Sequence, residues 1–358
     1  MTASSAFFNS KQDWLSHTLE HASEALAQCS HELPDGGELV QLGTGILQVN
    51  PPAGHLNTHQ DAMIISAGVH GNETAPIEVL NQLVNQLLSG ALQPACPALL
   101  ILGNPQAMVA GKRFIDANLN RLFSGAHRRD EVRETPEAGR AHQLEQLCQT
   151  FAGQVQAQGL ALSHYDLHTA IRPSQREKFA LYAFVAGRQL PAEQCAFLLE
   201  ADVQTLLLQH KAGTTFTSFS SSALNAQSFT VELGQVKPFG QNDLSRFQGI
   251  HNALERRLAG LSAPASAAAA IATTAATGET PELAVFQVVH EILNSGEGFQ
   301  FYVPDDVANF TEYAPGTVIW EDGNQRYCVG EKPEAIVFPN RDVPVGQRVG
   351  LLVSRLAV

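Results

Sequence analysis

Apolar positions along this 358-residue chain follow three successive regimes. In the first 50 residues the pattern is mixed: 17–26 carries helical spacing, whereas 38–49 alternates like a strand and then meets Pro51-Pro52, a turn signal. From residue 62 the signal sharpens. The run AMIISA (62–67) is short and almost wholly apolar, as a buried strand requires, and a loop over 68–73 follows it. A helix is predicted next, with Thr74 as N-cap, Pro76 in its first turn, Ile77, Leu80, Val84, Leu87 and Leu88 at helical spacing, and Gly90 as its stop. Further strands are predicted over 97–102, 165–168, 179–184, 205–209 and 228–233, and helices over 136–158, 192–201 and 243–258. Such alternation predicts an α/β domain around a mainly parallel sheet, with functional loops at the strand carboxyl ends.

Residues 262–280 break the pattern. Nine Ala and six Ser or Thr without an aromatic residue bury little apolar surface, which predicts a linker. Beyond it, alternating runs at 283–289, 317–320, 335–338 and 348–353 are broken by Gly, Pro, Asn and Asp, the pattern of a small all-β domain. The predicted organisation is an α/β domain over 1–261, a linker over 262–280 and a β domain over 281–358. The last is short for an independent core, so it is expected to pack on the first domain and narrow access to its loops. Its five basic against eleven acidic residues, a charge of −6, offer no evident anionic ligand.

Composition narrows the classes of function. With 44% hydrophobic and 16% charged residues the chain is globular rather than disordered. The 22 Lys and Arg against 35 Asp and Glu leave a formal charge of −13, which argues against nucleic acid and anionic membrane as partners. No apolar run reaches the roughly 18 residues of a membrane span, and the N-terminus lacks a basic flank followed by an apolar stretch, so a cytoplasmic location is expected. Five scattered cysteines without a CxxC pair indicate neither a disulfide framework nor a thiolate zinc site. Homo-oligomer formation is left open.

A His-x-x-Glu pair brings together an imidazole and a carboxylate, both suited to zinc. Four such pairs occur, His17/Glu20, His21/Glu24, His70/Glu73 and His142/Glu145, so the spacing alone selects none. His142/Glu145 lies in a polar helical stretch and reads as a solvated face. The 17–24 set would line one helix face, but no partner helix is evident. His70/Glu73 stands between a buried strand and a helix start in GVHGNET (68–74), where two glycines would let a substrate approach the backbone. The alternative there is a polar loop whose acid is favoured by the helix dipole. His168, at the end of another predicted strand in DLHT (166–169), offers a third ligand, and three protein ligands with one open position describe a catalytic zinc. Glu232 is an acid inside FTVELG (229–234), a run otherwise fit for burial. It is either an ion-pair partner at a strand end or a general base for water at the metal. The segment GKRFIDANLNR (111–121) sets three cations and two amides in an acidic chain. It is a surface loop or, beside a zinc site, a clamp for an anionic substrate.

Together these segments resemble the zinc carboxypeptidase superfamily and, within it, the aspartoacylase and succinylglutamate desuccinylase branch. The resemblance rests on SAGVHGNETAP (66–76), GNP (103–105), GKR (111–113), NR (120–121), DLHTAIR (166–172), VELG (231–234) and PFGQND (238–243), in the order that branch shows, and on FPN (338–340). It extends through most of the chain and is weakest before residue 38 and in the Ala-rich segment. It implies a zinc-carboxypeptidase-like mixed sheet flanked by helices, with one zinc per subunit held by His70, Glu73 and His168. It further implies that Glu232 is general base and acid, that Arg113 polarises the scissile carbonyl, and that Asn120 and Arg121 hold a substrate carboxylate. The substrate implied is a small anionic N-acyl amino acid, N-succinyl-L-glutamate ahead of N-acetylaspartate, split in the last step of arginine breakdown by the succinyl route. A non-catalytic carboxylate-binding protein on the same fold is the competing class, and the presence of ligands, base and clamp together speaks against it. In one position the sequence departs from the branch, which has Asp two residues before the Asn-Arg pair to orient the first zinc histidine; here it is Asn118. An amide oxygen still accepts the imidazole N–H, without a charge, so zinc affinity is the property affected. Asp116 is the rival for that role.

Overall fold

A computed structural model describes residues 12–57, 61–261 and 283–356, so the predicted linker at 262–280 lies outside the described residues. The α/β part comprises α1 (Trp14–Glu20), β1 (Cys29–Glu32), β2 (Glu38–Gly43), β3 (Ile46–Asn50), β4 (Ala62–Ala67), α2 (Thr74–Ser89), β5 (Ala98–Leu102), α3 (Pro105–Val109), α4 (Pro136–Ala157), β6 (Leu162–Ala170), β7 (Phe179–Tyr182), α5 (Ala192–Glu200), β8 (Thr205–Leu208), α6 (Phe216–Ala223), β9 (Gln227–Gln235) and α7 (Gln248–Leu258). The C-terminal strands are β10 (Ala284–Leu293), β11 (Phe299–Phe301), β12 (Thr311–Tyr313), β13 (Val318–Asp322), β14 (Gln325–Cys328), β15 (Glu334–Val337) and β16 (Arg348–Arg355).

One 13-stranded sheet runs in the order β1-β2-β3-β5-β4-β6-β9-β7-β8-β10-β16-β15-β12. Its middle, β5-β4-β6-β9, is parallel, and β7 enters antiparallel to β9, which makes the sheet mixed. Because successive strand residues point to opposite faces, the apolar runs divide between two cores. Met63, Ile65, Leu100, Leu167 and Val231 pack with α2, α5 and α7, while Ile64, Leu99 and Ile101 pack with α4 and α6. Toward the carboxyl ends of β6 and β9 one face turns polar: His164, Asp166 and His168 alternate along β6, and Ser228, Thr230 and Glu232 pair with them from β9.

α2 lies where the spacing predicts, with Ile77, Leu80, Val84 and Leu87 buried; full burial of such a side chain contributes about 1.5–3 kcal/mol. Its start differs by one residue. Glu73 occupies the N-cap position, and the Thr74 hydroxyl donates to the Lys237 carbonyl (2.6 Å) instead of capping. Gly90 ends the helix in the left-handed conformation, as its lack of Cβ permits. α1 ends at Glu20, short of residue 26, and the alternating 38–49 stretch is the β2–β3 hairpin near the sheet edge. α6, which the spacing does not predict, carries four serines and a threonine in FTSFSSSA and covers the polar face of β6 and β9.

The C-terminal strands form the small all-β unit that the alternation predicts. β10 hydrogen-bonds in parallel with β8 and antiparallel with β16, so backbone pairing continues from the α/β part into this unit. A separate sheet, β11-β13-β14, closes over a core that includes Ile292, Val303, Ile319 and Leu352.

Candidate functional site

The loop between β4 and α2 delivers His70 and Glu73. Gly68 adopts φ +67°, and a Cβ there would meet Met108 Cε at 2.1 Å; one on Gly71 would strike the Ala107 backbone at 2.2 Å. These glycines therefore admit the protein's own 103–108 segment, not a substrate as the sequence suggests. β6 brings His168, and the parallel β6–β9 register sets Glu232 directly beside it.

The ligand atoms of His70, Glu73 and His168 lie within 4.8 Å of one another, all buried. His70 Nε2 is 3.0 Å from Asn118 Oδ1, and His168 Nε2 is 2.8 Å from Asp166 Oδ2. An amide oxygen and an ionised carboxylate only accept, so both rings carry a proton on Nε2 and turn Nδ1 inward. His70 Nδ1 then faces Glu73 Oε1 at 2.9 Å, and His168 Nδ1 faces Glu73 Oε2 at 2.8 Å. Lone pair against lone pair is repulsive unless a proton or a cation lies between. At His168 a second proton serves: burial opposes it, but Asp166 and Glu73 hold the imidazole well above its ordinary pKa. At His70 burial outweighs Glu73 and lowers the pKa, and its buried Nδ1 has no hydrogen-bond partner among the described residues. Burial would raise the Glu73 carboxyl, yet His70 and His168 keep it well below the usual range. Two inward imidazole nitrogens and an ionised carboxylate are a donor set for a divalent metal ion.

Asn118, not the exposed Asp116, faces His70. The same Oδ1 accepts the Asn120 N–H at 3.1 Å, so the amide is held from two sides. Buried Glu137 in the first turn of α4 anchors this loop: Oε1 accepts the Ile115 N–H (2.6 Å), and Oε2 accepts the Asp116 and Ala117 N–H groups (both 3.3 Å). The sequence reading singles out neither Glu137 nor Asp166 as a support. Alternation of His164, Asp166 and His168 in one strand is the signal that identifies Asp166. Glu137 has no local signal, because its partners lie at least 20 residues earlier.

Glu232 is buried, and its Oε2 has no hydrogen-bond partner among the described residues. Burial pushes its pKa up to about 7, with His168 pulling down and Glu73 pushing up. Arg113 Nη1 donates to Glu73 Oε1 at 2.7 Å from a side chain 34% exposed, so it touches both the ligand carboxylate and solvent. Asn120 Oδ1 accepts the Phe216 N–H at 2.9 Å, which leaves the amide NH₂ as a donor. Arg121 is exposed and donates to the Asn120 carbonyl (2.8 Å), yet the surrounding protein, Arg348 and Arg113 push its pKa down to about 10. β16 thus carries a cation, Arg348, toward Arg121 despite the acidic balance of the C-terminal segment.

The other His-x-x-Glu pairs stay outside this site. His21 Nδ1 lies 3.1 Å from Glu24 Oε2. Glu145, far from lining a solvated face, is buried and accepts the Gly125 N–H at 3.3 Å. Among the described residues the 17–24 set forms no cluster of metal ligands.

The succinylglutamate desuccinylase/aspartoacylase catalytic-domain model matches residues 59–258, and the AstE/AspA barrel-sandwich hybrid domain matches residues 281–356. A succinylglutamate desuccinylase of Shewanella piezotolerans is 38% identical over 345 residues, 96% of this chain and 95% of its own. One from Pseudomonas paraeruginosa is 41% identical over 326 residues, 89% of this chain and 91% of its own. The X-ray structure of succinylglutamate desuccinylase from Vibrio parahaemolyticus matches with a TM-score of 0.83 at 30% identity, covering 97% of this chain and 96% of that one. On these matches, which cover most of its length, this chain belongs to the succinylglutamate desuccinylase/aspartoacylase family.

Proposed function

We propose that this protein is a zinc-dependent hydrolase that splits N-succinyl-L-glutamate into succinate and L-glutamate, the last step of arginine breakdown by the succinyl route. The observation that carries this reading is the inward-facing set His70, Glu73 and His168 beside Glu232, whose buried Oε2 has no hydrogen-bond partner among the described residues, and the names of the relatives support the substrate. One zinc per subunit would be held by His70, Glu73 and His168, and would supply an acidified water and Lewis-acid polarisation of a carbonyl.

The chain's own groups do the rest. A carboxylate whose pKa lies near 7 is well matched to taking a proton from water and returning it, and Glu232 has that property. It passes the proton to the amide nitrogen, since an amine leaves only when protonated. Arg113, reaching out from Glu73, offers N–H donors to the developing oxyanion. The free amide NH₂ of Asn120 and the accessible guanidinium of Arg121 bind a substrate carboxylate. The partner is then a small anionic N-acyl amino acid rather than nucleic acid or membrane, acting in the cytoplasm, with a homo-oligomer compatible with this reading. Among the described residues no helix is long and apolar enough to cross a membrane. In this scheme 1–261 is the catalytic domain, 262–280 the linker and 281–358 the C-terminal β domain.

Assay of the purified protein on N-succinyl-L-glutamate and N-acetyl-L-aspartate side by side tests the substrate; faster turnover of the acetyl compound overturns it. Glu232→Gln should retain zinc by metal analysis and lose about 10²–10⁴-fold in turnover. Full activity in that variant removes Glu232 from the mechanism.

A further inference from the structure

Beneath the metal-ligand set a line of buried polar side chains runs along one face of β4, β6 and β9. Ser66 donates its hydroxyl to Asp166 Oδ1 at 2.6 Å, while Asp166 Oδ2 faces His168 Nε2 at 2.8 Å. Ser66 Oγ is 2.9 Å from His164 Nε2, His164 Nδ1 is 2.7 Å from Ser220 Oγ on α6, and Ser220 Oγ is 2.9 Å from Ser228 Oγ on β9. Ser66, His164, Asp166, Ser220 and Ser228 are all 0% exposed. Burying this many polar groups is costly unless every one is paired, and an apolar stripe would pack here without that cost. Stability alone therefore gives no reason for the line.

Donor logic fixes its direction. Ionised Asp166 only accepts, so Ser66 spends its proton on Oδ1, and its oxygen is left to accept from His164 Nε2–H. His164 is neutral, since burial, against the pull of Asp166, lowers its pKa to about 4; its Nδ1 accepts from Ser220. Ser228 can then donate to Ser220. All the donors point one way and end on Asp166, an arrangement in which each hydrogen bond polarises the next. At the far end Ser220 and Ser228 are fully buried, so the line offers no proton path to solvent. Orientation is the role left to it.

We propose that His164, acting through Ser66, is a positioning residue for the metal centre: it ties the Asp166 carboxylate in the one orientation that turns His168 Nδ1 toward the ion. This rests on the reading of His70, Glu73 and His168 as a metal site. His164→Leu removes the donor to Ser66, Ser66→Ala cuts the link while leaving His164 in place, and His164→Gln keeps an N–H donor at the Nε2 position. Zinc affinity is measured by competition with a chromogenic chelator, without substrate, at a temperature where circular dichroism shows each variant folded. His164→Leu and Ser66→Ala should each weaken zinc by about tenfold, and His164→Gln should recover to within about threefold of the parent. Parental affinity in folded Ser66→Ala, or a His164→Gln as weak as His164→Leu, overturns the proposal. Ser66→Ala, the smaller change, decides the matter if His164→Leu does not fold. A parent protein that binds no zinc is a separate result: it overturns the metal reading, and this inference with it, before any variant is made.

Discussion

His70 and His168 present the same nitrogen to the same carboxylate, but the regions that hold them are built differently. His168 stands on β6, buried along nearly its whole length, with the charged Asp166 behind it and Ser66 and His164 behind that. His70 stands on a loop, and its support is the neutral Asn118 on a second loop that Glu137 pins from α4. A carboxylate behind an imidazole fixes the ring and raises its basicity, whereas an amide only fixes the ring. The pKa directions show the contrast. Burial works against protonation of both rings, yet Asp166 and Glu73 carry His168 upward while His70 goes down. The two supports therefore differ in charge: a carboxylate stands behind the strand histidine and a neutral amide behind the loop histidine.

Asp166→Ala is the strongest way to break this comparison. It strips the charge behind His168 and leaves the His168 Nε2–H and the Ser66 hydroxyl unpaired in a buried site. Zinc affinity should fall about 100-fold, at the upper end for an outer support, and urea unfolding should show a loss of about 3–5 kcal/mol, as for removal of one partner from a buried ion pair. If Asn118→Ala proves equally damaging, the two supports are equivalent and the contrast is wrong. The expected cost of Asn118→Ala is about tenfold in zinc affinity, together with about 1 kcal/mol from loss of the side-chain cap on the Asn120 N–H.

Asn118→Asp runs the other way, making the loop side resemble the strand side. The carboxylate keeps both acceptor contacts and adds charge, so zinc should tighten by up to about tenfold in a chelator titration. Unchanged affinity in both Asn118 variants would show that the charge behind the ring is not felt at the ion. The smallest effect is on pH dependence. In the proposed mechanism Glu232 must be ionised, so the rate should fall as pH drops through its pKa, which burial raises to about 7. A nearby dication favours the carboxylate and carries this acid limb of kcat/KM below pH 7. A negative charge at 118 should move the limb part of the way back up, and a pH–rate profile of Asn118→Asp beside the parent reads the shift.

Much of the site is legible because it sits where the chain changes pattern. GVHGNET breaks a strand–helix pair, DLHT ends a strand, and Glu232 interrupts an apolar run. Other parts resist reading for definite reasons. α6 is hidden because its serines look like loop residues, when in the fold Ser220 and Thr217 meet the polar face of β6 and β9. Thr74 looks like a cap, but its hydroxyl is taken by the Lys237 carbonyl, 163 residues away. The glycines at 68 and 71 look like room for a ligand, and instead admit Met108 and the Ala107 backbone.

The sequence by itself determined most of the order of strands and helices, α3 and α6 excepted, and the placement of His70, Glu73, His168 and Glu232 at loops and strand ends, because apolar period and turn chemistry act over a few neighbouring residues. Tertiary structure decided which of four His-x-x-Glu pairs meets a third ligand, whether Asn118 or Asp116 stands behind His70, and which ring nitrogen faces inward. Those choices depend on the β6–β9 register, on Glu137 gripping a loop 20 residues back, and on Ser66 reaching Asp166 across 100 residues of chain. Each is a contact between segments whose local patterns carry no information about one another.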